Sequence, residues 1–374
     1  MKIPLSAPDI TEKEIAAVTE VLQSPRLSLG PKLEEFERDF AEYIGAKHAV
    51  AVNSGTSGLH LCVRALNLKD DNEIITTPFS FIASANVLLY ENCVPVFVDI
   101  DRETLNIDAG KIEAAITEKT KAIMVVHVFG CPSPMEKIRE IADKHDLKII
   151  EDACEAIGAE YENLRVGNLG DCGVFAFYPN KQITTGEGGM VVTDDEQIAK
   201  KCRILRNQGR DPELDWFDHA ALGFNYRLSD INCALGIEQL KRIDEILDER
   251  KTVARKYHER LKQNPHLITP DIEFPNGRIS WFVYVIRLNE NFTKDQRDLV
   301  VNEMQKSGTG CGRYFAPIHL QPLYVEKFGY KTGDFPLAES AAERVIALPF
   351  FNKISDAQIE EVCERLGKLI AEII

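Results

Sequence analysis

The chain has 374 residues, of which 44% are hydrophobic and 28% are charged, and its formal net charge at pH 7 is −15. This length predicts two or three domains, and the acidic balance argues against a nucleic-acid-binding face. The N-terminus becomes acidic before any apolar run develops, and no apolar run approaches the roughly 20 residues of a membrane span. We therefore expect a cytoplasmic protein without a signal peptide or a membrane partner.

The nine cysteines are odd in number and widely spaced, and no two form a C-x-x-C pair. This arrangement argues against zinc ribbons and dithiol sites, and it predicts reduced thiols and no metal site.

The first 45 residues are predicted to form two helices. A capping-box pattern at 11–14 precedes the apolar-periodic run 15–22. After a Pro/Gly break, Leu33, Phe36 and Phe40 share one face of a second amphipathic helix.

From residue 46 onwards, apolar strand-like runs alternate with helical patterns. The strand-like runs are 49–52, 73–76, 94–98, 122–128, 147–151, 173–177 and 190–193, and the helical patterns include 57–67, 80–91, 109–117 and 134–145. Continuously apolar strands separated by helices predict an α/β fold, with a mostly parallel seven-stranded sheet covered by helices on both faces. In such a sheet, ligands bind beyond the carboxyl ends of the strands.

The pattern changes near residue 235. A long charged helix is predicted from about 234 to 261, and a strand-like run at 281–288 and helices near 294–307 and 355–372 follow it. These elements predict a large domain, 1–240, which includes the N-terminal helices, and a smaller C-terminal α+β domain, 241–374.

Lys181 follows the strand-like run 173–177 in a weakly charged segment. A lysine amine that is partly withdrawn from water can attack an aldehyde. A surface position in a loop is the commoner fate of a lysine. However, Gly186, Gly188 and Gly189 directly after it indicate close backbone packing or positive φ.

Two further segments carry suitable chemistry at predicted strand ends. Glu151 and Asp152 close the run 147–151, where an acid points into the ligand crevice and could pair with a ring nitrogen, although a turn acid or helix N-cap is an equal alternative. The turn 53–58, NSGTSG, opens a helix whose backbone N–H groups could bind phosphate. Many such turns are only N-caps, and this one is not a P-loop because no G-K-[ST] follows. A phosphate cradle, a ring-nitrogen partner and a reactive amine in this order resemble the fold type I enzymes of pyridoxal phosphate (PLP).

More closely, the chain resembles the DegT/StrS family of sugar aminotransferases. The matching segments, which span nearly the whole chain, are SLGP at 28–31 with FE at 36–37, NSGTS at 53–57, TPFSF at 77–81, VHVFG at 126–130, EDA at 151–153, YPNKQITTGEGG at 178–189, GFNYR at 223–227 and HLQP at 319–322. The segment 181–189, taken together with 151–153, is the most specific part. The resemblance implies the fold type I PLP-transferase fold and PLP as cofactor.

The resemblance implies a role for each matching residue of the cofactor site. Lys181 forms the Schiff base with PLP and then shuttles the proton during transamination. Asp152 pairs with the pyridine nitrogen. The cofactor phosphate is bound by Gly55, Thr56 and Ser57.

Other matching positions are expected to contact the ring, a second subunit or the substrate. Phe81 occupies the position at which the family stacks an aromatic ring on the pyridine. Asn225 is expected to reach the cofactor phosphate of the other subunit, which makes the active unit a homodimer with active sites at its interface. Arg227 and His319 are expected to contact the anionic substrate, with a loop histidine satisfied by backbone as an equal alternative for His319.

Two positions depart from the family pattern. Ala176 stands where a serine often touches the phosphate, so one hydrogen bond to the phosphate is expected to be missing or replaced. Glu155 stands where Gln or His often lies near the 3′-oxygen of the cofactor. A glutamate there indicates a sugar 4-aminotransferase of the perosamine-synthase kind, and the alternative is that Glu155 simply lies on the turn after the strand.

These assignments predict an aminotransferase that moves an amino group from an amino acid, expected to be L-glutamate, to a nucleotide-linked keto-sugar, expected to be a 4-keto-6-deoxy sugar. Two alternatives stay open. One is a catalytically altered regulatory or binding protein with the same fold, and the other is an aminotransferase for a ketone without a nucleotide. The pathway, whether for a surface polysaccharide or for a secondary metabolite, is open as well.

Overall fold

The computed structural model describes residues 2–211, 213–215 and 218–374. Its helices are α1 Glu12–Leu22, α2 Pro31–Ile44, α3 Gly55–Ala65, α4 Ala83–Tyr90, α5 Ala109–Ile112, α6 Met135–His145, α7 Glu196–Arg206, α8 Asp230–Lys241, α9 Ile243–Leu261, α10 Lys294–Lys306, α11 Pro322–Phe328, α12 Pro336–Arg344 and α13 Asp356–Ile373. Its strands are β1 His48–Val52, β2 Glu73–Thr76, β3 Val94–Phe97, β4 Thr120–Val126, β5 Lys148–Asp152, β6 Glu160–Tyr161, β7 Leu164–Arg165, β8 Cys172–Ala176, β9 Gly189–Thr193, β10 Leu267–Ile268, β11 Gly277–Arg278, β12 Tyr284–Leu288 and β13 Val345–Leu348.

A seven-stranded sheet with the order β1-β9-β8-β5-β4-β2-β3 forms the centre of the fold. The strands from β8 to β3 pair in parallel, and β9 runs antiparallel to its neighbours β8 and β1. The predicted mostly parallel α/β sheet is therefore confirmed. Each of the seven predicted strand-like runs begins and ends within two residues of the corresponding bounds of an observed strand.

Both faces of this sheet are covered, as the continuously apolar strands predict. Successive residues of a strand point to opposite faces. Accordingly, Ala49 and Ala51 lie in one hydrophobic cluster with α2, α6 and α8, whereas Val50 and Val52 lie in another with α3, α4 and α7. The two helix layers cover the faces of the sheet and not the carboxyl ends of its strands, so a binding site can form at those ends.

A second, antiparallel sheet with the order β10-β12-β13 lies in the C-terminal part of the chain. Its strand β12 packs with α9, α10 and α13 in a separate cluster that contains Tyr257, Tyr284, Val300 and Leu366. A further sheet of three short strands has the order β11-β6-β7. This arrangement is compatible with a smaller α+β unit, and the domain boundary at 240/241 stays a prediction.

The predicted single helix from 234 to 261 is wrong. The chain leaves helical geometry at Arg242, where φ is −107° and ψ is 9°, so α8 ends at Lys241 and α9 begins at Ile243. The buried Arg242 guanidinium lies 3.1 Å from a carboxylate oxygen of Asp9 and 2.8 Å from one of Glu14. These ion pairs tie the joint between the two helices to the N-terminal segment.

Smaller differences concern element lengths. The helix predicted at 109–117 consists of α5 and a single 3-10 turn, Glu113–Ala115, and the run predicted at 281–288 becomes a strand only from Tyr284. No sequence pattern above predicts α7, α11, α12 or β13. Within the described ranges, none of the helices combines the length and the apolar character that crossing a membrane requires.

We predict that the joint at Arg242 loses stability in acid through Glu14. Burial by itself raises the pKa of this carboxyl, but hydrogen bonds from Thr11, Gln239 and Arg242 lower it from 4.5 to about 2. A carboxyl with a depressed folded-state pKa contributes stability that is present above its unfolded pKa and is lost as the pH falls through its folded pKa. Glu14→Gln should therefore lower the free energy of unfolding at pH 7 by about 1–3 kcal/mol.

Urea denaturation at a series of pH values checks this expectation. The difference between the variant and the wild type should shrink as the pH falls from about 5 toward 2. Glu12→Gln, which alters an exposed carboxyl in the same helical turn, is the control and should change little. A Glu14→Gln deficit that is independent of pH would show that the carboxylate charge contributes nothing.

Candidate active site

A cavity of about 450 Å³ lies at the carboxyl ends of the parallel strands, and we call it the Lys181 cavity. Val126, Asp152 and Ala176, the last residues of β4, β5 and β8, line it. Its other lining residues are Ser54, Gly55, Thr56, Leu59, Ser80, Phe81, Ala83, Cys154, Glu155, Tyr178, Asn180, Lys181, Glu187, Gly188, Phe282, Tyr314 and Phe315. The cavity thus occupies the place where a parallel sheet is expected to bind its ligand.

The N-terminus of α3 forms one wall of this cavity. The Ser54 side chain caps the helix by accepting a hydrogen bond from the Ser57 amide at 3.1 Å. Gly55 and Thr56 contribute first-turn N–H groups, which an α-helix leaves without internal acceptors. Together with the helix dipole, these donors favour an anion such as phosphate at this wall. The Ser57 hydroxyl is engaged elsewhere, since it donates to Asn53 Oδ1 at 2.7 Å.

Residues with small side chains bring α3 close to the strand ends. A Cβ atom at Gly55 would lie 2.7 Å from the Cβ of Ala176 and 2.8 Å from the Sγ of Cys154. A Cβ atom at Gly189 would lie 2.7 Å from the backbone carbonyl of Ser54. Gly189 is one of the glycines whose spacing after Lys181 predicted close backbone packing, and that prediction is confirmed.

Lys181 projects a largely buried side chain into the cavity. Its Nζ atom lies 3.7 Å from Glu155 Oε1 and 4.0 Å from the centroid of the Phe282 ring. The second carboxylate oxygen of Glu155 accepts a hydrogen bond from the Phe129 amide at 2.9 Å. Burial raises the pKa of the Glu155 carboxyl, and the Lys181 charge and the Phe129 hydrogen bond oppose this shift without cancelling it. The amine therefore faces an enclosed carboxyl and an aromatic ring.

Asp152 and Glu151 point to opposite faces of β5, as alternation along a strand requires. Asp152 accepts hydrogen bonds from the Ser84 hydroxyl at 2.6 Å and from the Cys154 amide at 3.2 Å, and it lines the cavity. Glu151 is fully buried on the other face, where it accepts a hydrogen bond from His127 at 3.0 Å and further ones from backbone amides at 167–170. Asp152 is thus free to meet a ligand, whereas Glu151 and His127 are structural.

The groups that line the Lys181 cavity fit PLP. Backbone N–H donors at the start of α3 suit its phosphate, the Asp152 carboxylate suits its ring nitrogen, and the Lys181 amine suits its aldehyde. Phe81 lines the same cavity with a side chain that is 60% exposed.

Asn225 and Arg227 lie outside the lining of this cavity within the single chain. Asn225 is exposed, and its backbone carbonyl accepts a hydrogen bond from the Asn53 side chain at 3.3 Å. Arg227 donates to Asn207 Oδ1 at 3.0 Å. Their expected contacts with a second subunit and with the substrate stay predictions.

The side chain of His319 is enclosed within the single chain. The imidazole is 0% exposed and does not line the cavity. Its Nε2 atom lies 3.0 Å from Glu339 Oε1, and its ring packs edge-on against Phe335 at 4.7 Å between centroids. Its Nδ1 atom has no hydrogen-bond partner among the described residues, and its expected contact with the substrate stays a prediction.

Several lining residues escaped the sequence analysis. Asn180 and Cys154 are adjacent in sequence to residues that it identified, and this proximity was the available signal. Phe282, Tyr314 and Phe315 come from the C-terminal part of the chain, more than 100 residues after Lys181. No local pattern places such distant aromatic residues beside the lysine.

Comparison with known proteins agrees with this site. A model of the DegT/DnrJ/EryC1/StrS aminotransferase family matches residues 8–367. The chain is 43% identical to the uncharacterized protein MJ1066 of Methanocaldococcus jannaschii over 99% of this chain and 98% of that protein. It is 39% identical to the GDP-perosamine synthase of Caulobacter vibrioides, with 99% and 98% covered. The PLP form of the putative sugar aminotransferase Spr1654 from Streptococcus pneumoniae superposes with a TM-score of 0.95 at 28% identity, with all of both chains covered. The enzymes of the matching family depend on PLP.

We predict that Gly55→Ala weakens PLP binding by about tenfold or more. The added methyl group collides with Ala176 and Cys154, so the start of α3 must move away from β8 and take its N–H groups with it. Titration of the apo-protein with PLP, followed by absorbance, measures the change. Gly367→Ala is the matched control, because nothing lies within 4 Å of a Cβ atom at that position in α13. Equal affinities of the two variants for PLP would contradict the expectation.

Proposed function

We propose that this chain, which belongs to the DegT/DnrJ/EryC1/StrS aminotransferase family, transfers an amino group from L-glutamate to a nucleotide-linked keto-sugar. The simplest acceptor is a 4-keto-6-deoxy sugar. The observation that carries the proposal is that the Lys181 amine and the Asp152 carboxylate line one cavity with the N-terminus of α3. The likeness to a GDP-perosamine synthase and to a putative sugar aminotransferase supports the class of acceptor.

In this proposal, five groups of the chain hold PLP. The N–H groups of Gly55 and Thr56 at the start of α3 hold its phosphate, and Asp152 keeps its ring nitrogen protonated. Phe81 covers one face of the ring. Glu155 lies near the 3′-oxygen, and Lys181 binds the aldehyde. Ser84 supports this arrangement, since its hydroxyl already donates to Asp152 and leaves the carboxylate one preferred orientation.

PLP supplies the aldehyde and the electron-accepting ring on which transamination depends. The chain supplies the proton transfer. The Lys181 Nζ atom would take the α-proton from the donor amino acid and deliver it to the aldehyde carbon of the cofactor. In the second half of the reaction, it would carry a proton from that carbon to the sugar carbon that receives the amine. A positioned base of this kind contributes typically about 10²–10⁴-fold. Glu155, at 3.7 Å, holds the free amine in place, and Phe282 shields it from water.

The proposal includes a homodimer. Phe81 and Tyr178 line the cavity and are more than half exposed in the single chain. Asn225 is also exposed and lies outside the cavity of its own chain. A second copy that covers this rim would enclose the cavity and would let the Asn225 side chain reach the phosphate bound by its partner.

We predict that Lys181→Ala lowers the rate of amino transfer from L-glutamate by at least about 10²-fold, because the proton shuttle is lost. Asp152→Asn should also lower it, since an amide does not keep the ring nitrogen protonated. The rate is followed through the change in PLP absorbance after glutamate is added. Lys200→Ala, which removes an exposed ion pair with Glu213, should behave as the wild type. A Lys181→Ala variant with the wild-type rate would refute the assignment of this lysine.

We predict that two defective variants restore activity when they are mixed as subunits. Asn225→Asp places a second anion beside the partner's phosphate, and Lys181→Ala removes the shuttle from its own site. In a dissociated and reassembled mixture, the site with an intact Lys181 receives Asn225 from the other chain. About a quarter of the wild-type activity should return at random pairing. If activity does not return although dimers reassemble, Asn225 acts within its own chain or not at all.

A further inference from the structure

A second cleft lies between the segment that follows β3 and the sheet β10-β12-β13. It consists of two adjoining cavities, of about 210 Å³ and about 280 Å³, and we call it the arginine cleft. The two cavities have Glu103, Leu105, Ile268 and Arg287 in common, and neither has a lining residue in common with the Lys181 cavity. The cleft is therefore continuous in itself and separate from the site of amino transfer.

One end of the arginine cleft is positively charged. Arg102, Arg287 and Arg344 line it, although the whole chain carries a net charge of −15. Burial lowers the pKa of Arg287, and the neighbouring charges of Arg344 and Arg102 lower it further, whereas the carboxylates of Asp101 and Glu103 oppose this shift without cancelling it. Like charges held together in a partly buried place are unfavourable unless an anion lies between them.

Two of these guanidinium groups are available to a ligand. Arg102 is paired with Glu290 at 2.8 Å. Arg287 donates through one nitrogen to the Arg102 carbonyl at 2.5 Å and retains its other N–H groups. Within the residues that the structure describes, the Arg344 side chain makes no hydrogen bond or ion pair. The carboxylate of Glu103 also lines the cleft, so the excess of positive charge is concentrated at Arg287 and Arg344.

The other end of the cleft is apolar and aromatic. Phe129, Phe274 and Trp281 line it, together with aliphatic side chains of β12 and of the 268–279 segment. A slot of this composition accepts a flat ring. The Thr104 hydroxyl and the carboxylate of Asp271 lie at the same end and offer polar partners to the N–H groups on the edge of such a ring. Glu273, the further acid here, is paired with Arg255 at 3.5 Å.

We propose that the arginine cleft is a second binding site, and that its ligand is a nucleoside diphosphate. The aromatic end receives the base, and Arg287 and Arg344 receive the phosphates through charge-assisted hydrogen bonds. The two cavities together reach the size of ordinary small-molecule pockets, roughly 300–1,000 Å³. The site does not depend on the amino-transfer chemistry of the Lys181 cavity.

Isothermal titration of the PLP-loaded enzyme with ADP, GDP and UDP tests the proposal. At least one of the three should bind at a site whose affinity Arg344→Ala lowers by about tenfold or more, in addition to any nucleotide bound at the Lys181 cavity. Ile268→Glu should weaken binding at that site as well, because residue 268 pairs across the strands with Arg287 and a carboxylate there would occupy the guanidinium. The matched controls are Arg139→Ala, an exposed arginine outside the cleft, and Ile10→Glu, since Ile10 is 41% exposed and Ile268 is 40% exposed.

The proposal is overturned if none of the three nucleotides binds at millimolar concentration. It is also overturned if the number of nucleotides bound per chain and their affinities are the same in the wild type and in both cleft variants, since every bound nucleotide then lies elsewhere, for instance at the Lys181 cavity, where the proposed function itself places one. A titration with inorganic pyrophosphate distinguishes the contribution of the arginine end of the cleft from that of the aromatic end. Equal affinity for pyrophosphate and for the nucleoside diphosphates would mean that the aromatic end contributes nothing, and it would refute the nucleoside part of the ligand.

Discussion

The close approach of α3 to the ends of β8 and β9 is the constraint on which the site depends. Gly55, Gly58 and Gly189 lie where a Cβ atom would come within 2.8 Å of Ala176, Val174 or the Ser54 carbonyl. Only a helix that begins this close to the sheet can direct its first N–H groups into a cavity that strand ends also line. Any larger residue at these positions would separate the anion-binding wall from the carboxylate and the amine.

The directions of the strands determine which side chains of the sheet reach the cavity. Parallel strands end at one edge, which brings Val126, Asp152 and Ala176 together, and alternation along β5 sends neighbouring acids to opposite faces. Glu151 becomes a buried acceptor that fixes the 167–170 loop and His127, while Asp152 reaches the cavity. Lys181 enters from the turn after β8 and meets Glu155 and Phe282. The C-terminal part of the chain, which supplies Phe282, thereby completes a cavity that the large sheet begins.

The sequence predicted those strands and motifs whose position depends on a local residue pattern. Buried parallel strands are continuously apolar, so their positions were predicted to within two residues, and the motifs around Asp152 and Lys181 do lie at strand ends. The break between α8 and α9 was missed: Arg242, at the break, is paired with Asp9 and Glu14, more than 200 residues away, and no local pattern indicates such distant contacts. His319 was assigned from a motif, and within the single chain its imidazole contacts Glu339 and does not line the cavity, so this assignment stays a prediction. Tyr314 and Phe282 were missed because only the tertiary fold brings them to Lys181.

The central claim is that the amine of one particular lysine and the carboxylate of Asp152 share a single bound PLP. Borohydride reduction of the PLP-loaded protein, followed by protease digestion and mass mapping, tests this claim most directly. The account predicts one stoichiometric phosphopyridoxyl adduct on the peptide that contains Lys181, with the other lysines unmodified. An adduct on a different lysine, or a protein that stays unmodified after incubation with PLP, would contradict it.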